Sequence, residues 1–279
     1  MQKTKEQIAK DFDCAVLGQG PALVFLHGWP FHQESYRMIV PELSKHFKCY
    51  NLNSMGMAHG GKSLIKNKMD FPDHADRVLA FADAMGLEKF NIMGHDTGGT
   101  IARFVAAKAP ERVEKLVLLN TEMPGHRPPF IPFYQKTMRF PMNRIFFKLA
   151  LKSKTYRHSS LGFGNVMYNK RLIDGEFDKY FVKYWLVDKH RFNGLVHYLT
   201  GLNFNRIDEM DALHRKITAP TQFIWGKNDL TFPCDQGRVM ADRMPSCTDF
   251  TEIEGACFLP QEEKPKEVVA ATLRFLSAA

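Results

Sequence analysis

The stretch GHDTGG, residues 94–99, has the form Gly-x-nucleophile-x-Gly with a carboxylate, Asp96, at its centre. Between a strand and a helix, such a turn pushes its central side chain clear of the backbone. It tolerates only small neighbours, here Gly94, Gly98 and Gly99. The helix start beyond it offers backbone N–H groups and a positive dipole end, both suited to an anion. A carboxylate is already ionised at neutral pH. It can attack saturated carbon, opening an epoxide or displacing a halide, and leave an alkyl ester. The competing reading makes Asp96 an ordinary helix N-cap, a position Asp fills well.

The elements that must position Asp96 are legible on both sides. ALVFLHG (22–28) is a continuous apolar run, as expected of a strand buried on both faces. SYRMIVPELSKHF (35–47) spaces Tyr36, Ile39, Val40 and Leu43 as one helical face, and FKCYNLN (47–53) reads as a strand. A glycine-rich loop, SMGMAHGGKS, follows. FPDHADRVLAFADAMG (71–86) is a helix with Gly86 as its C-cap. KFNIMG (89–94) is the strand entering the turn, TGGTIARFVAAKAP the helix leaving it, and VEKLVLLNT (113–121) another buried strand. This alternation predicts a parallel sheet with helices on both faces. From 125 to 211 the pattern changes to aromatic and basic helical stretches, including MNRIFFKLALKS and EFDKYFVKYWLVD. Strand–helix alternation then resumes at TAPTQFIWG, DFTEIEG and PKEVVAATLRFLS. The expected organisation is an α/β core, residues 1–124 and 212–279, interrupted by a helical insertion, 125–211.

At 279 residues with 44% hydrophobic content, the chain suits one large domain with an ample core. The net charge of +8 concentrates between 127 and 216 but is interrupted by Glu176 and Asp178 and carries no nucleic-acid motif, so a solvated basic face is expected. The five cysteines (14, 49, 234, 247, 257) form no C-x-x-C pair; neither a zinc site nor a disulfide framework is expected, and most should be small buried residues. No apolar run approaches a membrane span, and the charged N-terminus lacks a signal-peptide core, so a cytoplasmic protein without nucleic-acid or membrane partners is expected.

Three segments in this order, HGWP (27–30), GHDTGG and WGKNDLTFP (225–233), resemble the α/β-hydrolase family, whose fold is α/β, a mostly parallel sheet flanked by helices with an inserted helical cap. An elbow Asp combined with HG-x-P resembles its epoxide hydrolase and haloalkane dehalogenase branch. The resemblance implies the following roles. Asp96 is the nucleophile and Asp229 the acid. The N–H groups of Trp29 and Thr97 form the oxyanion hole, with His27 and Gly28 shaping its loop and His95 pointing inward. Thr97 stands where dehalogenases usually carry a halide-binding Trp, which favours epoxides. Epoxide hydrolases use two cap tyrosines to protonate the epoxide oxygen; Tyr134, Tyr156, Tyr168, Tyr180, Tyr184 and Tyr198 are available, and spacing singles out no pair. A small, fairly apolar substrate is implied, with no metal or organic cofactor, and a monomer or homodimer.

The chain departs from the family at one place. A His that activates water for ester hydrolysis is expected on the loop after the last strand, and that loop reads IEGACFLPQEEKP. Cys257 occupies the usual position, Gln261 a second slot used by relatives, and no histidine follows His214. A thiol beside Asp229 is a poor base at neutral pH, and Gln cannot take a proton. His126, His158, His190 and His197 could replace the base only if the fold brings one of them in. The remaining readings are a lyase, isomerase or cyclase with Asp96 as general base, and an impaired protein that binds a small molecule in the same cavity.

Overall fold

A computed structural model describes residues 12–53 and 69–278. The glycine-rich stretch 54–63 and nearly all of the charged N-terminus lie outside the described residues. Seven strands form one sheet: β1 (Cys14–Leu17), β2 (Ala22–Leu26), β3 (Lys48–Leu52), β4 (Phe90–His95), β5 (Val113–Leu119), β6 (Thr221–Gly226) and β7 (Cys247–Ile253), in the order β1-β3-β2-β4-β5-β6-β7. Only β1 runs antiparallel to its neighbour. This is the α/β-hydrolase fold anticipated above, with an edge strand that the sequence reading did not anticipate. β1 is four residues long and mostly exposed, so it lacks the apolar run that marks the interior strands.

The longer helices are α1 (Phe71–Ala84), α2 (Thr97–Lys108), α3 (Phe130–Thr137), α4 (Pro141–Ala150), α5 (Lys189–Gly201), α6 (Cys234–Arg243) and α7 (Pro265–Ser277). Burial explains why β2 is apolar at every position. Val24 and Leu26 point into a core shared with α1 and α2, while Leu23 and Phe25 point into a second core shared with α7. α1 begins with a reciprocal capping box between Asp70 and Asp73, and the chain leaves it through Gly86 at φ 68°, the left-handed conformation glycine takes at low cost. The helix expected over 35–47 is instead a 3-10 turn, Gln33–Tyr36, and a single helical turn, Val40–Leu43. Pro41 supplies no N–H to continue a longer helix and sits where a new one starts. Between β5 and β6 the described chain holds helices and turns only.

The order of strands locates the site. β2 leads to β3 on one side and pairs with β4 on the other, so the connections diverge between β2 and β4. Parallel sheets open a crevice at the carboxyl ends of strands at such a point. The loop 27–30 leaves β2 there and Asp96 leaves β4 there, with Leu26 paired to Gly94 in register.

Candidate active site

Asp96 has φ 53° and ψ −130°, a conformation that costs a side-chain-bearing residue roughly 1–3 kcal/mol. Its surroundings over-determine it. Its N–H donates to Asn120 O (3.1 Å), while its own carbonyl accepts from Gly99 N (2.8 Å) and from the Thr121 hydroxyl (2.9 Å). The glycines serve close approach: a β-carbon on Gly98 would stand 2.2 Å from Leu26 O, and one on Gly28 would stand 2.4 Å from Asp96 Cβ. The Asp96 side chain makes no capping bond to α2. Its Oδ2 instead accepts the Trp29 N–H at 2.7 Å and lies 3.4 Å from Thr97 Oγ1, and the backbone N–H of Thr97 lies near enough to favour the ionised carboxylate. Trp29 N–H further approaches Thr97 Oγ1 at 3.1 Å, and Tyr198 donates to the same oxygen at 3.2 Å. The fold thus brings together Asp96, Trp29, Thr97 and Gly28. His27 lies buried behind them, donating Nδ1–H to Gly28 O (3.0 Å), and burial pushes its pKa down to about 4. His95 is fully buried and bonds Phe258 O (2.8 Å), its pKa held at about 3 by burial.

A second carboxylate, not anticipated from the sequence, meets the nucleophile candidate. Glu122, two residues beyond Asn120 and 3% exposed, lies close enough to Asp96 for its charge to act on it. Its Oε2 accepts from the Thr100 hydroxyl (2.6 Å) and lies 3.1 Å from the Thr121 oxygen, while its Oε1 is buried without a partner. Burial and the adjacent Glu122 charge push the Asp96 carboxyl well above the usual carboxylate range, against the N–H groups of Thr97 and Trp29. Placing Asp96 beside a second buried carboxyl disfavours its own ionisation. Beneath them, fully buried Arg103 donates to Thr100 Oγ1 (2.8 Å), Thr121 Oγ1 (3.0 Å) and Glu122 O (2.9 Å), and its Nη1 meets His214 Nε2 at 3.2 Å. Burial lowers its pKa to about 10 while Glu122 opposes that shift.

Asp96 and Glu122 open into an otherwise largely apolar cavity walled by Trp29, Phe31, Phe147, Leu195 and Phe258, among others. Of the six tyrosines in the helical segment, Tyr134 and Tyr156 line it; Tyr134 donates to Leu161 O (2.7 Å) and its oxygen is bonded by the Tyr156 hydroxyl. Burial raises both phenol pKa values, so both hydroxyls keep their protons at neutral pH. His126 is the one histidine among the four possible replacements that lines the cavity; its Nε2 bonds Thr231 O at 2.7 Å. His158 instead meets Asp174 at 3.1 Å.

Asp229 follows β6, buried, with Oδ2 accepting from Asn120 Nδ2 and Oδ1 from Thr231 N, each at 2.7 Å. Burial pushes its carboxyl up to about 7, against hydrogen bonds from Asn120, Thr231 and Phe232. Because the folded state binds this proton more tightly than the unfolded chain, the associated stability is complete below the ordinary value of 3.8. It is lost as pH rises through about 7. Asp229→Asn removes that dependence: in urea denaturation between pH 4 and pH 8, the stability difference should move in the variant's favour by up to ~4 kcal/mol.

Cys257 is not part of the cavity wall. Its thiol points to Asn228 O (3.0 Å), and burial, then Glu263, push its pKa up to about 12. Phe258 is the residue of this loop that faces the cavity, and Gln261 is buried elsewhere with both amide atoms unpartnered. The expectation that most cysteines are buried is corrected: Cys49 and Cys257 are, whereas Cys14, Cys234 and Cys247 are half-buried, and all five are free. No group of three or more His, Cys, Asp or Glu among the described residues is arranged to hold a metal. None of the described helices is long and apolar enough to cross a membrane.

Residues 21–265 match the family model described as alpha/beta hydrolase fold. A Haemophilus influenzae protein, named provisionally as an esterase/lipase, is 28% identical over 92% of this chain and 83% of its own length. The soluble epoxide hydrolase of Corynebacterium sp. (strain C12) is 26% identical over 93% of this chain and 91% of its own. Among solved structures, a thermophilic esterase from Thermogutta terrifontis superposes with a TM-score of 0.78 at 19% identity, covering 95% of this chain and 92% of that one.

Proposed function

The chain belongs to the α/β-hydrolase fold family, and we propose that within it Asp96 is a carboxylate nucleophile that opens epoxides of small apolar molecules. The observation that carries this reading is a carboxylate, rather than a hydroxyl, at a strained elbow, held by the Trp29 backbone N–H with that of Thr97 nearby, in the wall of an apolar cavity. The similarity to a soluble epoxide hydrolase over nearly the full chain supports it. So does the presence in the same cavity of two bonded tyrosines, Tyr134 and Tyr156, suited to binding an epoxide oxygen from the helical segment, which serves as a cap over the core.

In this reading the reactive tautomer has Asp96 ionised and Glu122 protonated. Asp96 attacks one epoxide carbon, the C–O bond breaks, and the freed oxygen takes up the proton that this reading places on Glu122. A neutral ester and an ionised Glu122 result. Glu122 then takes a proton from water as it adds to the ester carbonyl, and the Trp29 and Thr97 N–H groups hold the oxyanion. Collapse expels the alcohol oxygen, which takes the proton of the re-formed Asp96 carboxylic acid, and leaves Asp96 ionised and Glu122 protonated for the next turnover. Glu122 thereby fills the role of the missing histidine, and Asp229 orders the Asn120–Thr231 connection beside it.

Glu122→Gln tests this division of labour. With styrene oxide, the variant should form the Asp96 ester and hydrolyse it at least ~100-fold more slowly, so that intact-mass spectrometry shows the adduct accumulating. A variant that hydrolyses as fast as the native protein removes Glu122 as the base. A second reading is favoured by the raised Asp96 carboxyl: Asp96 and Glu122 would move a proton on the substrate without forming an ester, as in an isomerase or lyase. Turnover of substrate without any adduct in either protein favours that reading.

A further inference from the structure

The amphipathic helix α4 lies the wrong way round for a helix of a water-soluble surface. Met142, Ile145, Phe146 and Leu149, at helical spacing i, i+3, i+4 and i+7, are each 54–62% exposed, and none of the residues of α4 is buried. Phe140 before the helix and Phe133 on α3 are exposed to a similar degree. An apolar helical stripe normally faces a core, and a contiguous exposed apolar patch marks a binding surface.

The charges around the stripe identify its partner. No Asp or Glu occurs between Glu122 and Asp174. The exposed Lys136, Arg139 and Lys152 stand just before and just after this helix, and none has an acidic partner among the described residues. A face with aromatic and aliphatic side chains along it and such cations at its ends matches the interface of an anionic bilayer, where the apolar groups enter the acyl boundary and the cations meet the headgroups. A second copy of the chain fits poorly, because face-to-face contact would crowd two sets of unpaired cations together.

We propose that α4 docks the protein on the surface of membranes containing anionic phospholipids. Phe147, on the same helix, forms part of the cavity wall, as does Leu151 just beyond it. Docking therefore sets the apolar cavity against the layer in which apolar molecules concentrate. The expectation from the sequence that no membrane is a partner considered spanning segments only; peripheral docking needs none. This inference does not depend on the chemistry assigned to Asp96.

Vesicle co-sedimentation tests it with the full chain. Phosphatidylcholine vesicles containing phosphatidylserine should bind the protein at low salt, release it as salt rises, and bind at least ~10-fold more tightly than phosphatidylcholine alone. Ile145→Ser/Phe146→Ser and Arg139→Gln/Lys152→Gln should each reduce partitioning at least ~10-fold while keeping the native circular dichroism melt. Absence of binding to phosphatidylserine vesicles, or equal binding by the native protein and both variants, overturns the proposal. So does a sedimentation velocity experiment in which the native protein is a dimer that Ile145→Ser/Phe146→Ser splits.

Discussion

Asp96→Asn should abolish covalent adduct formation and lower epoxide turnover by ~10⁴-fold or more, while leaving the fold at least as stable as the native one. The loss follows from chemistry: an amide oxygen is a feeble nucleophile towards saturated carbon, and no other carboxylate stands between the Trp29 and Thr97 N–H groups. The retained stability follows from the contacts. Asn has nearly the same shape, its carbonyl can still accept the Trp29 N–H, and its NH₂ can donate to the Glu122 oxygen that now lacks a partner. Replacing one of two crowded buried carboxyls removes a repulsion rather than a support. The pair of readouts separates a catalytic role from a structural one: a cap or packing residue would lower the thermal midpoint together with activity.

The second large effect concerns stability. Arg103→Met should destabilise the protein by about 3–5 kcal/mol, measured by urea or thermal unfolding. The guanidinium is completely buried and satisfies Thr100, Thr121 and the Glu122 carbonyl at once, while opposing the Glu122 charge. Methionine of similar length leaves those acceptors without a donor and leaves a buried carboxylate pair without its counter-charge. The loss should be partly repaired in Arg103→Met/Glu122→Gln, because neighbours in one network couple rather than add. Strict additivity of the two substitutions would mean that Arg103 supports the core through packing alone.

What the sequence disclosed follows physical lines. Interior strands such as β2 and β5 are apolar throughout because both faces are covered, and the elbow shows itself because its glycines are forced by contacts with Leu26 O and with neighbouring backbone. Short exposed elements carry no such signature, which hid β1 and turned 35–47 into one long helix despite Pro41. At the candidate site, Gly28 and Trp29 on HGWP and Asp96 and Thr97 on GHDTGG come together because both motifs leave neighbouring strand ends. The tyrosine pair could not be selected from six, since Tyr134 and Tyr156 meet only through the packing of the helical segment. Cys257 shows how one residue of register decides a role: its thiol turns to Asn228, and its neighbour Phe258 faces the cavity. Glu122 beside Asp96 carries no local motif of its own. It follows directly on a buried strand, at the carboxyl end of the sheet where functional groups collect, and that position was the available signal.

A single-turnover reaction in heavy-oxygen water, with protein in excess over styrene oxide, addresses the ester directly. If Asp96 attacks carbon, water adds to the ester carbonyl; the heavy isotope then appears in the peptide containing Asp96, and the first diol formed carries none of it. Heavy oxygen in the diol with an unlabelled Asp96 peptide would mean that water attacks the substrate itself, and Asp96 would not be the nucleophile.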